Sequence, residues 1–224
     1  MKDLGGGVAS LQAWSRGARL AIGVFLFVLA LLIVANLALL YAELTTRAIG
    51  VYSPAPAVVL GAINVLLGPF FVFSAVPVAV WIYRAHANLR AAAAQKLGYS
   101  PGWSVGSFFV PLVNLVVPFR AMRELHNRSH GEGPWQAAAA VGDVTSWWAC
   151  QIAGTAVSMV AALVAVIATV PNVYVVQPPG VNTGLALFAL LLFAGAGAFL
   201  FRTIGAVTSA QRQMLHLNHG DVFA

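Results

Sequence analysis

The side chains able to bind or react cluster between Arg84 and His130. Arg84 and Asn88 are four residues apart and share a helical face, as do His86 and Arg90. Further on, Arg120–Glu124 and Glu124–Arg128 have the same spacing on a second polar stretch. A guanidinium binds phosphate through two parallel hydrogen bonds. Arg84, Asn88, Arg90, Arg120 and Arg123 are therefore the candidate site for an anionic phospholipid headgroup or a partner protein. The same residues have a plainer reading. The arginines would follow the positive-inside rule and snorkel, and Asn88 and Asn114 would cap broken backbone.

Other chemistries find less support. His126 and His130 have the i,i+4 spacing of a metal pair, but no cysteine or carboxylate joins them at a recognisable spacing, so no metal is expected. His216 and His219 read as solvated tail residues. No nucleophile-elbow, zinc-protease or phosphate-loop pattern occurs, and no cofactor motif. The lone Cys150 excludes an internal disulfide framework. A lipid-modifying enzyme acting through Arg84, His86, Asn88 and Glu124 is the weaker alternative. A transporter or channel is another, but it would need oligomers, because the expected spans carry no ionisable residue apart from Arg202 near one end.

These residues must be held by elements that are almost free of charge. Of 224 residues, 60% are hydrophobic and 8% charged, against about 25% charged in a soluble domain. The run from Leu20 to Tyr41 has no charge, and 22 residues at ~1.5 Å each cover a hydrocarbon core of about 30 Å. It is longer than a signal-peptide core and no small-x-small site follows, so it reads as a retained span. The expected architecture is an all-α integral membrane protein with four transmembrane helices, at about 20–42, 58–83, 146–170 and 185–204. Residues 1–17 read as a flexible tail, 18–208 as one membrane domain, and 209–224 as a second tail. Pro69 and Pro77 should kink the second span. Trp81, Tyr83, Trp147 and Trp148 read as interfacial belt residues. Gln151, Thr155 and Ser158, with Gly154, Gly195 and Gly197, read as helix-packing positions.

Between the second and third spans lies YSPGWSVGSFFVPLVNLVVPFRAMREL, Tyr99 to Leu125. It is apolar but broken by Pro111, Asn114 and Pro118. Polar helices are expected on either side, at about 84–97 and 119–129, with Gly98 capping the first and residues 99–102 forming a turn. If the stretch at 103–119 stays on one side, eleven of the twelve cations face the cytoplasm and only Arg47 faces out. If it crosses, Arg120, Arg123 and Arg128 fall outside. A lipid-exposed broken helix would leave backbone groups unsatisfied. The reading preferred here is therefore a re-entrant or interfacial segment, with both chain ends cytoplasmic.

The sequence WIYRAHANLR, with Trp81, Arg84, Asn88 and Arg90, continues through Ser100-Pro101-Gly102-Trp103. It is followed by Phe109-Val110-Pro111, Asn114-Leu115, Pro118, Ala121-Met122-Arg123-Glu124-Leu125 and Trp147-Trp148. This region resembles a family of bacterial membrane proteins known as domain of unknown function 4328. The resemblance implies a multi-pass protein of the bacterial plasma membrane and gives Trp81, Ser100, Pro101, Gly102, Trp103, Pro111, Asn114, Pro118 and Glu124 a structural part. It implies no activity. The function expected is non-enzymatic binding of a lipid headgroup or partner protein at the inner surface. A homo-oligomer is compatible, and nucleic acid is not expected, because the net charge of +6 is explained by topology.

Overall fold

The computed structural model describes residues 4–48, 61–65, 67–92, 97–132, 141–167, 178 and 180–220. The proline-rich break expected around 51–57, residues 171–177 of the one expected over 171–184, and Lys2 and Lys96 lie outside them, whereas 181–184 are helical. Among the described residues the chain is helical without strands. Four long helices, α1 (Leu4–Ala48), α2 (Leu67–Ala92, with a helical lead-in over 61–65), α5 (Val141–Ile167) and α6 (Val181–Gly220), are long and apolar enough to cross a membrane. Two short helices, α3 (Pro101–Gly106) and α4 (Val117–Ser129), lie between α2 and α5.

The long helices are held by seams written into the sequence. On α1 a buried stripe runs through Leu11, Ser15, Ala18, Ile22, Phe25, Leu29, Leu32, Asn36 and Glu43, advancing by alternating steps of four and three and then by seven, with Ala21 beside it. On α6, Thr183, Leu190, Gly197, Ile204 and Gln211 recur every seven residues, beside Ala189, Ala196, Thr203 and Ala210. A seven-residue repeat keeps one stripe turned to a partner helix. Small residues set the spacing. A Cβ on Gly197 would lie 2.9 Å from Leu26 Cδ2, and one on Gly154 would lie 3.0 Å from the Phe193 ring. Thr155, expected to join the packing stripe, is exposed and bonds back to the Gln151 carbonyl.

The packed pairs are α1 with α2, α1 with α6, and α5 with α6, whereas α2 and α5 share no packed interface. The spanning helices thus stand in the order α2–α1–α6–α5. Between α1 and α6 the buried interior is Phe25, Leu29, Leu32 and Leu190. Towards the other end it merges into a larger core containing Leu11, Trp81, Ala85, Leu89, Met122, Leu125, Trp147 and Val207.

Several expectations are corrected. Residues 4–17 are helical rather than a flexible tail, because the α1 seam continues through Leu11 and Ser15. The triple glycine is accommodated where helices touch: a Cβ on Gly7 would lie 2.7 Å from Asn88 Oδ1. The C-terminal tail is likewise an extension of α6, which buries Gln211. Residues 84–92, expected to continue the second span as a polar helix, are the end of α2. Pro77 sits inside α2 and Pro69 in its first turn, where a missing N–H costs least. Trp81, Trp147 and Trp148 are buried rather than interfacial, whereas Tyr83 is exposed. Trp81 donates to Thr208 Oγ1 at 3.1 Å, which satisfies its indole N–H inside the core.

Candidate functional site

The motif between α2 and α5 begins with a helix start where a simple turn was expected. The Ser100 side chain accepts from the Trp103 N–H at 3.1 Å, and Pro101 opens α3. Serine at the cap and proline in the first position suit orphan donors at a helix N-terminus. Ser104 and Ser107, buried on the inner side, bond to carbonyls three residues back. Two single turns of 3₁₀ helix follow, Ser107–Phe109 and Val113–Leu115, and then α4, with Pro118 in its first turn.

Between the 3₁₀ turns the backbone reverses sharply. Leu112 has φ 64° and ψ −44°, and the Val113 N–H donates to the Pro111 carbonyl at 2.8 Å. This is a γ-turn of the rare positive-φ kind. The Asn114 N–H bonds the Val110 carbonyl at 2.9 Å, Leu115 bonds Leu112 at 3.1 Å, and Val116 bonds Val113 at 3.1 Å. Trp148 on α5 donates to the Leu115 carbonyl at 3.0 Å and meets Phe108 edge-on.

Glu124 ties the two ends of this segment together. Its carboxylate accepts the Gly98 N–H at 2.7 Å and the Tyr99 N–H at 3.2 Å, and the side chain is buried. It is therefore turned inward, away from the exposed pairing with Arg120 and Arg128 that its spacing predicted. Gly98, expected as a helix cap, is a clamp point. A Cβ there would lie 3.3 Å from Glu124 Oε1. The segment leaves from and returns to one end of the helix row.

The five predicted binding residues do not converge. Arg84 donates to Ser10 Oγ at 2.6 Å and Asn88 to the Gly7 carbonyl at 3.1 Å, so both are engaged by α1. Arg90 is exposed at the end of α2. Arg120 and Arg123 stand together on α4, Arg120 exposed and Arg123 half-buried with its Nε buried and unpartnered. Asn114 Oδ1 is also buried without a partner.

Behind α4 lies polar interior that sequence reading missed. Gln211 on α6 donates to the Ala85 carbonyl at 3.1 Å and to Ser129 Oγ at 3.0 Å. His86, fully buried, meets the Ile82 carbonyl at 3.0 Å through Nδ1. At the opposite end Thr183 donates to the buried Glu43 at 2.9 Å, and Asn36 and Asn64 exchange amide contacts at 3.4 and 3.5 Å. The seven-residue register of α1 and α6 is the signal that could have found Asn36, Glu43, Thr183 and Gln211.

His126 and His130 stack with ring centroids 4.3 Å apart, and His130 Nδ1 lies 2.8 Å from the His126 carbonyl. Burial lowers the His126 pKa below 6.5, and neighbouring His130 adds to the effect against weaker opposition from Asn127, Glu132 and Asp143. Among the described residues no three histidine, cysteine or acidic side chains gather as a metal site would require. Asp143 instead pairs with Arg202 at 3.3 Å.

Four membrane-length helices joined by a clamped, proline-broken motif define the class: a multi-pass helical membrane protein. The family model for the domain of unknown function DUF4328 matches residues 43–209, and the chain belongs to that family. No curated protein and no solved structure matches it.

Proposed function

We propose that the protein is a non-enzymatic membrane module that binds the phosphate of an anionic phospholipid headgroup at the cytoplasmic surface of a plasma membrane. The observation that carries this reading is the pair on α4: Arg120 exposed, and Arg123 with a buried guanidinium nitrogen that lacks a partner. Arg90 is a further exposed cation at the end of α2. Arg84 and Asn88, tied to α1, hold the scaffold rather than the ligand.

The segment at 103–119 dips and returns without crossing. The Glu124 clamp supports this, because the entry and exit of the segment meet within 2.7 Å. A crossing would separate them by about 30 Å of hydrocarbon. The charge bias then sets α4 and both chain ends on the cytoplasmic side. The α1–α6 seam is apolar over Phe25, Leu29, Leu32 and Leu190, and its polar groups are engaged, Asn36 with the Leu32 carbonyl and Glu43 with Thr183, which favours binding over transport. The enzyme alternative loses ground because two of its four residues are bonded to α1 and the other two are buried.

The test is lipid analysis of the full chain purified in mild detergent, with phosphatidylglycerol and inorganic phosphate added back separately. Removing a guanidinium that holds phosphate costs about 1.5–3 kcal/mol, or roughly ten- to a hundredfold in affinity. Arg123→Ala should lose phosphatidylglycerol to this extent and Arg120→Ala to a smaller one, with Arg212→Ala unchanged. Equal retention of phosphatidylglycerol by all three variants would overturn the reading. Competition by inorganic phosphate at similar concentration would mean a soluble phosphate ligand.

A further inference from the structure

The tip of the returning segment has a property that headgroup binding does not require. Phe109 and Leu112 are 80% and 81% exposed, more than any other large hydrophobic side chain among the described residues. An exposed loop in water has no need to satisfy its own backbone, since solvent does so. Here the N–H groups of Val113, Asn114, Leu115 and Val116 all bond within the loop. The carbonyls of Val110, Pro111, Leu112 and Val113 receive them, and Trp148 takes the Leu115 carbonyl. Proline at 111 removes one more donor. This largely internal satisfaction of the backbone suits hydrocarbon, with Asn114 Oδ1 left buried and unpartnered.

The depth of the tip agrees. Trp148, which holds the Leu115 carbonyl, lies six residues inside the apolar window of α5 that starts at Gly142, roughly 9 Å along the helix. The root of the tip thus lies beside the apolar stretch of α5, which suits contact with acyl chains. The positive φ of Leu112 is a strained conformation that costs about 1–3 kcal/mol. It turns an apolar side chain outward.

We propose that residues 109–116 form a wedge whose Phe109 and Leu112 side chains sit among the acyl chains of the inner leaflet. Arg120 and Arg123 then lie one to two helical turns back, nearer the headgroups. The proposal rests on the non-crossing reading above but not on its phosphate chemistry. The bilayer itself is the partner, so the wedge should be occupied whichever lipid phosphate the arginines select.

The experiment attaches a nitroxide to Leu112→Cys, and separately to Phe109→Cys and His130→Cys, each with Cys150→Ala in the full chain. The proteins are reconstituted in phosphatidylcholine–phosphatidylglycerol vesicles. Collision with oxygen, which concentrates among acyl chains, is compared with collision with a water-soluble nickel chelate. The expected result is an oxygen-to-nickel ratio several-fold higher at positions 109 and 112 than at 130. Nickel access at 109 and 112 would overturn the wedge and leave a loop in water. Shielding of both from both reagents would also overturn it, because protein would then cover the tip. If Leu112→Cys does not fold, Phe109→Cys decides alone. Unchanged phosphatidylglycerol retention in Arg123→Ala with the oxygen signature intact would remove the phosphate reading only.

Discussion

At the residue scale, Glu124 is the most exposed to test. A buried carboxylate accepting two backbone N–H groups is a pair of charge-assisted bonds. Glu124→Gln keeps one acceptor and turns an amide donor towards the second N–H. The expected outcome is a loss of about 1–3 kcal/mol, read as a lower unfolding midpoint in detergent and faster proteolysis near Tyr99. An unchanged midpoint would mean the clamp is not structural.

His126 gives a pH dependence whose sign can be worked out. Its folded pKa lies below 6.5 because burial disfavours the imidazolium. The unfolded chain therefore takes up the proton first as pH falls. Stability contributed by the neutral ring is complete above 6.5 and is lost below it, down to the lowered folded value. His126→Phe should flatten the dependence of the midpoint between pH ~7.5 and ~5.5 while keeping the stack on His130. A slope unaltered by that substitution would assign the dependence elsewhere.

At the scale of elements, the α1–α6 seam makes a contrasting pair of glycines informative. A Cβ on Gly197 runs into Leu26, whereas one on Gly23 meets nothing within 4 Å. Gly197→Val should cost about 1–3 kcal/mol through overpacking, and Gly23→Val should leave the unfolding midpoint nearly unchanged. Equal effects would deny the close approach.

The seam also shows what was legible in the sequence. Charge-free runs gave the spans, because few charges can enter hydrocarbon. They could not give the helix ends, since charge marks where the membrane stops and not where the helix does. α1 and α6 continue past Arg19 and Arg202 because Leu11 and Gln211 still have partners. The same limit applied to the site. Serine and prolines announced the broken segment, but i,i+4 spacing placed Glu124 on the surface, and shared charge grouped Arg84 with Arg120. Only tertiary contacts reveal that α1 reaches Arg84 and that a backbone loop reaches Glu124.

At the scale of the whole molecule, sidedness decides the most. His130→Cys in a Cys150→Ala background should resist a membrane-impermeant thiol reagent in intact cells and react once the membrane is opened. Labelling from outside would put α4 on the far face and remove the cytoplasmic reading of Arg120 and Arg123. The motif links α2 to α5, the two helices at the ends of the row, which otherwise share no packed interface.

That row order has a consequence for how the protein is made. α1 and α2 can join as soon as both have been inserted. α5 then enters with no neighbouring span to lean on, held only by the motif, through α4 and the bond of Trp148 to the Leu115 carbonyl. Only when α6 follows does α5 gain its partner, and only then is the polar pair Glu43–Thr183 completed. Until that moment the stripe of α1 that packs on α6 faces lipid, Glu43 included, whereas Asn36 already has Asn64. α6 is therefore the keystone, and a ribosome stalled before residue 181 leaves α5 unpacked against any other span.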